Sequence, residues 1–377
     1  MSLIYFDNAA TTKISDKVVA ELLNAESNLY FNSAALYSQS LEVKRALGQA
    51  NSIIKNRLAH GSGDLIFTSG ATEGNNMVIL GKITSGRNHL LVLAGEHSST
   101  YAPSVYLKNN GIDVDYVPLI PSGEIDLDAL KRLVRPNTAL FVFCMVNSDT
   151  GTLQNTKEIV RIIRSINPRT HIHCDAVQAF CKFDFDVESL GLDSATISAH
   201  KIYGPKGVGA LWLKKGVTLK PIMFGGAQQD YRPGTENNSS IIGFAAAVEN
   251  FDTPKYYAHI KSLHTHLITS LRGGHDEAIP TRFTINGSNQ NPYITNIGLP
   301  NKILGQTVLN ALSAKGICVG LGSACASTAS KNRTLLAMGI PEPKTKQVLR
   351  VSFGIYNTIA EVDIFLNELK ECCYTVG

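Results

Sequence analysis

Ser198-Ala-His-Lys-Ile-Tyr-Gly-Pro-Lys-Gly-Val-Gly-Ala-Leu211 places a lysine between a short apolar run and a turn rich in glycine. Ala195 to Ala199 has the length and composition of a buried strand, and Val208 to Leu213 forms a second apolar run beyond the turn. Lys201 therefore sits where a strand ends and the chain bends sharply. A lysine partly desolvated there loses its proton more readily and becomes an amine nucleophile toward a carbonyl. Ser198 and His200 flank it with groups able to bind an anion. In isolation the pattern is ordinary. Most lysines are solvated surface charges, and the Gly204 to Gly209 spacing matches neither a dinucleotide loop nor a P-loop.

Upstream, strand and helix patterns alternate. Ser15 is placed to cap a helix to about Asn24, and an amphipathic helix from about Leu41 to His60 is closed by Gly61-Ser-Gly63. The strand opening Leu65-Ile-Phe-Thr-Ser-Gly-Ala-Thr-Glu-Gly-Asn-Asn76 runs through Ser69-Gly70 into a helix start, whose free backbone amides suit a phosphate. Further strands are expected over His89–Ala94, Val114–Val117, Leu140–Val146 and His171–Cys174, with helices over Ser99–Asn109, Leu127–Leu133 and Thr156–Ile166. This rhythm predicts an α/β fold, a mostly parallel sheet with helices on both faces. Ligands in such sheets bind beyond the C-terminal strand ends, where Thr72, His97, Asn147, Asp175 and Lys201 all fall.

After Leu213 the pattern changes. Phe224 to Asn237 is a long polar loop, Ile241 to Asn250 is helical, and a smaller α+β half begins with a helix over about Lys255–Arg272. Strands are expected near Arg282–Ile285, Thr295–Leu299 and Gln347–Phe353, and a closing helix over Ile359–Glu371. Gly316 to Thr328 reads as a mobile loop of small residues.

The composition excludes several classes. A chain of 377 residues with net charge +4 and scattered basic residues gives no footprint for direct nucleic-acid binding. Its longest apolar run, Ala139 to Val146, falls far short of the ~20 residues that span a bilayer, so no membrane segment is expected. No basic segment followed by an apolar core marks a signal peptide. Cys144, Cys174, Cys181, Cys318, Cys325, Cys372 and Cys373 form neither a metal spacing nor a secreted disulfide framework, which points to a reducing cytoplasm.

A lysine amine, a strand-end acid, an imidazole and a phosphate cradle together describe a pocket for pyridoxal 5′-phosphate. Lys201 would hold its aldehyde, Asp175 would face the ring nitrogen, and Gln178 would donate to the ring oxygen. His97 would stack on the ring, and Thr72, Ser198 and His200 would hold the phosphate. A rival reading takes His171, His173 and Asp175, alternating on one strand face, as metal ligands. Ordinary sheet histidines are the commoner explanation, so no metal is expected.

Thr68-Ser-Gly-Ala-Thr-Glu-Gly-Asn-Asn76, Glu96-His97, Asp175-Ala-Val-Gln178, Ser198-Ala-His-Lys201, Arg232-Pro-Gly-Thr-Glu-Asn237 and Gly322-Ser-Ala-Cys325 together resemble the cysteine desulfurases of the class V aminotransferase family. The likeness is greatest to the group of iron–sulfur assembly and nitrogen-fixation desulfurases. It runs from Tyr5-Phe-Asp-Asn-Ala-Ala-Thr-Thr12 to Leu349-Arg-Val-Ser352. It implies aminotransferase fold type I. Residues 14–254 would form a large cofactor-binding domain with a mostly parallel seven-stranded sheet. Residues 1–13 and 255–377 would form a small C-terminal α+β domain carrying the cysteine loop. It adds Ala71, Asn147 and Thr235 to the cofactor contacts and Asn32 and Arg350 to the substrate contacts. Thr235 would serve the partner's site in a homodimer. L-cysteine would be the substrate, Lys201, His97 and Cys325 the catalytic residues, and a cluster scaffold or thiolation protein the acceptor of the sulfur.

The chain departs from the family pattern at Tyr37, where histidine is usual, and at Ser148, where asparagine is usual. These departures suggest, as one alternative, a catalytically weak sulfur-relay protein; a selenocysteine lyase or another class V enzyme on the same fold is the other. The thiol at 325 separates the desulfurase from a transaminase, which has no need of one there.

Overall fold

The computed structural model describes residues 3–83, 87–226, 231–273, 283–288, 291–300, 302–322 and 332–376. The chain opens with the two-residue strand β1 (Ile4–Tyr5), and Ser15 then caps helix α1 (Asp16–Asn28) by accepting from the Val18 amide. Helix α2 (Ser38–Ala59) begins three residues before the predicted start. Its N-cap, Tyr37, makes no side-chain capping bond, so the sequence carries no signal there. Strand β2 (Asp64–Thr68) leads into α3 (Ala71–Lys82), and β3 (His89–Leu93) into α4 (Ser98–Asn109). There follow β4 (Asp113–Val117), β5 (Thr138–Cys144), β6 (His171–Asp175), β7 (Ser194–Ser198) and β8 (Gly209–Leu213).

These seven strands form one sheet in the order β2-β8-β7-β6-β5-β3-β4. Strands β4, β3, β5, β6 and β7 run parallel, whereas β8 is antiparallel to both β7 and β2. The mostly parallel sheet expected from the sequence is thus present, with one reversed strand. Side chains alternate between two cores. Leu91, Leu93, Phe141 and Phe143 face the layer that holds α2, while Leu90, Val92, Leu140 and Val142 face α3. The chain leads from β3 to β4 on one side and from β5 to β6 on the other, and this reversal of strand order opens a crevice beyond the C-terminal ends of β3 and β5.

The C-terminal part builds a three-stranded antiparallel sheet, with β10 (Ile294–Gly298) between β9 (Thr284–Asn286) and β12 (Val348–Ser352). Strand β11 (Ile317–Cys318) pairs in parallel with β1, which brings the N-terminus to this part. A helix over Gly305–Ala314, absent from the sequence expectations, packs Val308 and Leu312 into the same core. Phe6 is fully buried there, edge-on to Phe353 at 5.3 Å and to Phe365 at 5.7 Å. Among the described residues no helix is long and apolar enough to cross a membrane.

Phe6, just after β1, is therefore tied to Phe353, just after β12, and to the closing helix over Ile359–Val376. Phe6→Ala is expected to cost about 3–5 kcal/mol through lost burial and the cavity left behind. Urea unfolding followed by fluorescence should show a clear drop in midpoint, and an unchanged midpoint would contradict this packing role.

Candidate active site

A cavity of about 800 Å3 lies beyond the ends of β3, β5, β6 and β7. Strand β7 ends at Ser198, and one tight 3-10 turn, Ala199–Lys201, swings Lys201 into the cavity wall. The Lys201 ammonium donates to the carbonyls of Ala9 (2.5 Å) and Ala10 (2.7 Å). Burial pushes its pKa down to about 8; Arg350 acts in the same direction, and Asp175 and Asp7 oppose it.

Asp175 closes β6 on the same cavity. Its carboxylate accepts from Asn75 Nδ2 at 2.8 Å and from the Val177 amide at 3.1 Å. Glu96 lies in the interior, with Oε1 accepting from the Cys144 amide at 2.7 Å. Burial, and after it the nearby Asp175, push the Glu96 pKa up to about 8. The protein thus buries two acids close together and keeps one of them protonated at neutral pH.

Ala71, Thr72, Ser198 and His200 meet at the far end of the cavity. Gly70 caps α3 without a side-chain bond, and Ala71 and Thr72 of the first turn line the cavity. The crossing between Gly70 and β8 is close. A Cβ on Gly209 would lie 2.8 Å from Gly70 Cα and 2.6 Å from the Ile197 carbonyl, so only glycine fits. His200 bonds Thr11 Oγ1 through Nδ1, and burial pushes its pKa down to about 4.

His97, Asn147 and Gln178 also line the cavity. The Asn147 oxygen accepts from the amides of Asp149 and Thr150, which fixes the loop after β5. Gln178 donates to the Ala9 carbonyl at 2.9 Å and accepts from Lys182 Nζ at 2.9 Å. Arg350, in the middle of β12, is 5% exposed. It donates to the Ser148 carbonyl (3.0 Å) and to Asp7 (2.7 Å), with Asp149 at 3.9 Å. A Cβ on Gly320 would sit 3.0–3.1 Å from the guanidinium, so this glycine makes room for it.

Two expected contacts fall elsewhere in the single chain. Asn32 is exposed, outside the cavity lining, and its side-chain oxygen accepts from the Ala34 amide at 2.9 Å. Thr235 is likewise exposed and outside the lining. Cys325 lies outside the described residues. Of the residues flanking its segment, Gly322 is in the cavity lining, and a Cβ on it would lie 3.2 Å from Nδ2 of Asn332, the first described residue beyond the segment. His171 and His173 share a sheet face as expected, but both bond Ser194 Oγ at 2.7 Å and His173 Nε2 meets Asn75 Oδ1 at 3.0 Å. Burial pushes both imidazoles strongly toward the neutral form, His173 to about 3. They reach Asp175 through Asn75 rather than beside it as co-ligands.

The sequence carries no clear sign of a site role for the N-terminal turn, Asn75 or Lys182. The turn supplies carbonyls to Lys201 and Gln178 from residues about 190 and 169 positions away in the chain, a relation no local pattern carries. Lys182 is enclosed beside the site, its pKa pushed down to about 7 by burial and then by Lys201. Its one local sign is its place four residues after Gln178, which is the length of one helical turn.

The model for the class-V aminotransferase family matches residues 4–365. Cysteine desulfurase IscS 1 of Archaeoglobus fulgidus is 33% identical, over 97% of this chain and 95% of the relative. A solved NifS-like protein superposes with a TM-score of 0.89 at 31% identity, over 98% of this chain and 99% of that one. A second structure, described as SspA in complex with cysteine, gives 0.81 at 29% identity over 94% and 100%.

The Glu96 environment has a consequence for stability. Its folded pKa, about 8, lies above the ordinary value of 4.5, so the folded state binds more protons between them. Stability from this group is present below about pH 4.5 and is lost as pH rises toward 8, at up to ~1.4 kcal/mol per pH unit. Glu96→Gln keeps the acceptor for Cys144 and removes the titration. It should flatten that slope and be the more stable protein at pH 8 in urea titrations. Identical pH profiles would mean that Glu96 is ionised in the folded state.

Proposed function

The chain belongs to the class-V aminotransferase family, and we propose that it is a pyridoxal 5′-phosphate-dependent cysteine desulfurase, moving sulfur from L-cysteine onto Cys325 and leaving L-alanine. One observation carries this reading. A lysine with a depressed pKa and a hydrogen-bonded aspartate share a cavity whose lining includes Gly322, the last described residue before the Cys325 segment.

The residues present fit the cofactor. The first turn of α3, with Ser198 and His200, offers amides and polar side chains to a phosphate, and Asp175 and Lys201 lie on the same wall system for the ring and the aldehyde. When bound, pyridoxal phosphate supplies an electron sink that makes an amino acid's α-proton and side-chain bonds labile.

The chain's own residues do the remainder. Lys201, half neutral near pH 8, would hold the cofactor's aldehyde carbon, and its free amine would take the proton from the substrate Cα. Asp175, fixed by Asn75 and the Val177 amide, would hold a proton on the ring nitrogen. Arg350 anchors the substrate carboxylate on its buried fork. Cys325 attacks as thiolate. A bond forms between its sulfur and the substrate sulfur as the Cβ–S bond breaks, and the electron pair stays on carbon and takes up a proton. L-alanine and an enzyme persulfide are the balanced products.

The working form is a homodimer in this reading. Thr235 and Asn32 stand exposed outside their own cavity, and Leu36 (97%) and Phe224 (85%) leave large apolar side chains uncovered. Thr235 then serves the partner's phosphate. A protein acceptor takes the persulfide sulfur, and a cytoplasmic setting suits the unpaired cysteines among the described residues. Two units are inferred, 14–254 around the large sheet and 1–13 with 255–377 around the small one. The core that joins Ile4 and Phe6 to Phe365 supports that division.

Two variants test the assignment. Asp175→Asn should retain cofactor, judged by its absorbance, while turnover falls by ~10²-fold or more; near-wild-type turnover would make Asp175 structural. Cys325→Ser should also retain cofactor yet release sulfide from L-cysteine more than ~10²-fold slower. Intact mass after cysteine treatment should show added, reductant-labile sulfur on wild type and none on the variant. Sulfide release at the wild-type rate by Cys325→Ser would refute the desulfurase reading.

A further inference from the structure

Behind the cavity wall a chain of buried side chains has every proton position fixed by its neighbours. The Asp175 carboxylate only accepts, so Asn75 must turn Nδ2 toward it (2.8 Å) and Oδ1 away. Two donors hold that orientation from the other side: Thr196 Oγ1 at 2.6 Å and His173 Nε2 at 3.0 Å. With His173 carrying its proton on Nε2, its Nδ1 accepts from Ser194 Oγ, which in turn accepts from His171 Nε2. The second Nδ2 hydrogen of Asn75 goes to Ser99 Oγ at 2.9 Å. The Ser99 hydroxyl hydrogen is then left for His97 Nδ1 at 2.8 Å. That same nitrogen accepts from the Ser99 amide at 3.2 Å, as the cap of α4.

We propose that Ser99 and Asn75 are positioning residues that hold His97 as the neutral tautomer with its proton on Nε2, so that His97 offers the cavity a hydrogen-bond donor rather than a base. Two donors converge on Nδ1, so a proton there would face both of them, and the remaining nitrogen must carry the hydrogen. Burial of His97 acts in the same direction by disfavouring the imidazolium form. Because Asn75 also grips Asp175, the orientation of the acid and the tautomer of the imidazole are set by one amide. Combined with the desulfurase reading, on which this part rests, His97 Nε2–H would recognise an electron-rich atom such as the substrate sulfur. It would not remove a proton at that nitrogen.

The tautomer itself does not depend on that reading and is measured directly. In protein labelled with 15N-histidine, the His97 ring signals are identified by their loss in His97→Gln. Wild type without substrate should show one pattern, an unprotonated Nδ1 and a protonated Nε2. Ser99→Ala should move the signals toward a mixture, and Ser99→Thr, which restores a hydroxyl, should return them. With cofactor bound, Ser99→Ala should lower kcat by about tenfold or more, with Ser99→Thr recovering most of it. A wild-type His97 carrying its proton on Nδ1, or an unchanged tautomer in a folded Ser99→Ala, would overturn the proposal. Sulfide release failing in wild type while the tautomer pattern holds would count against the desulfurase reading alone.

Discussion

Desolvation of one amine organises this molecule. Lys201 leaves a strand that is buried along its whole length and enters the wall of the cavity, where partial burial pushes its pKa down to about 8. A charged ammonium in that place needs partners, and the turn after β1 supplies two carbonyls. The arrangement requires the N-terminus to return to the sheet, which the pairing of β1 with β11 and the burial of Phe6 provide. The pKa near 8 that results is a compromise between burial and bonding. Complete desolvation would leave the amine too weakly basic to take a proton, and a surface lysine would stay charged.

The same interior deals with its two neighbouring acids differently. Asp175 receives two N–H donors, whereas Glu96, a short distance deeper, receives one amide and stays protonated up to about pH 8. Two ionised carboxylates in so small a volume would repel strongly. Lys182 shows the corresponding effect on the cationic side, where burial and Lys201 push its pKa down to about 7. The site therefore holds fewer charges at neutral pH than its residue types suggest.

Much of this was legible in the sequence because it rests on local pattern. Fully buried parallel strands appear as continuous apolar runs, and the polar residue that ends each run marks the edge of the cavity, as His97, Asn147, Asp175 and Lys201 do. What stayed hidden is non-local. The direction of β8 depends on its pairing with β7 and β2, and its apolar run is the same in either direction. The Asp7–Arg350 pair joins residues 343 positions apart. Asn75 sits inside a helix, where an asparagine ordinarily looks like a tolerated defect, and its role appears only when β6 and β7 are placed beneath it. Asn32 and Thr235 were singled out by family likeness, and the single chain leaves both exposed outside its cavity.

Lys182 makes the central claim sharply testable, because it is a second buried amine near the cavity with an even lower pKa. Desolvation alone would favour it, while position favours Lys201, which lines the cavity and faces the same space as Asp175. Borohydride reduction of cofactor-loaded protein, followed by peptide mapping, distinguishes the two. The cofactor is expected on the peptide containing Lys201 and to be absent there in Lys201→Ala. Attachment to Lys182, or to any other lysine, would contradict the claim that the Lys201 turn is the centre on which this protein's chemistry is built.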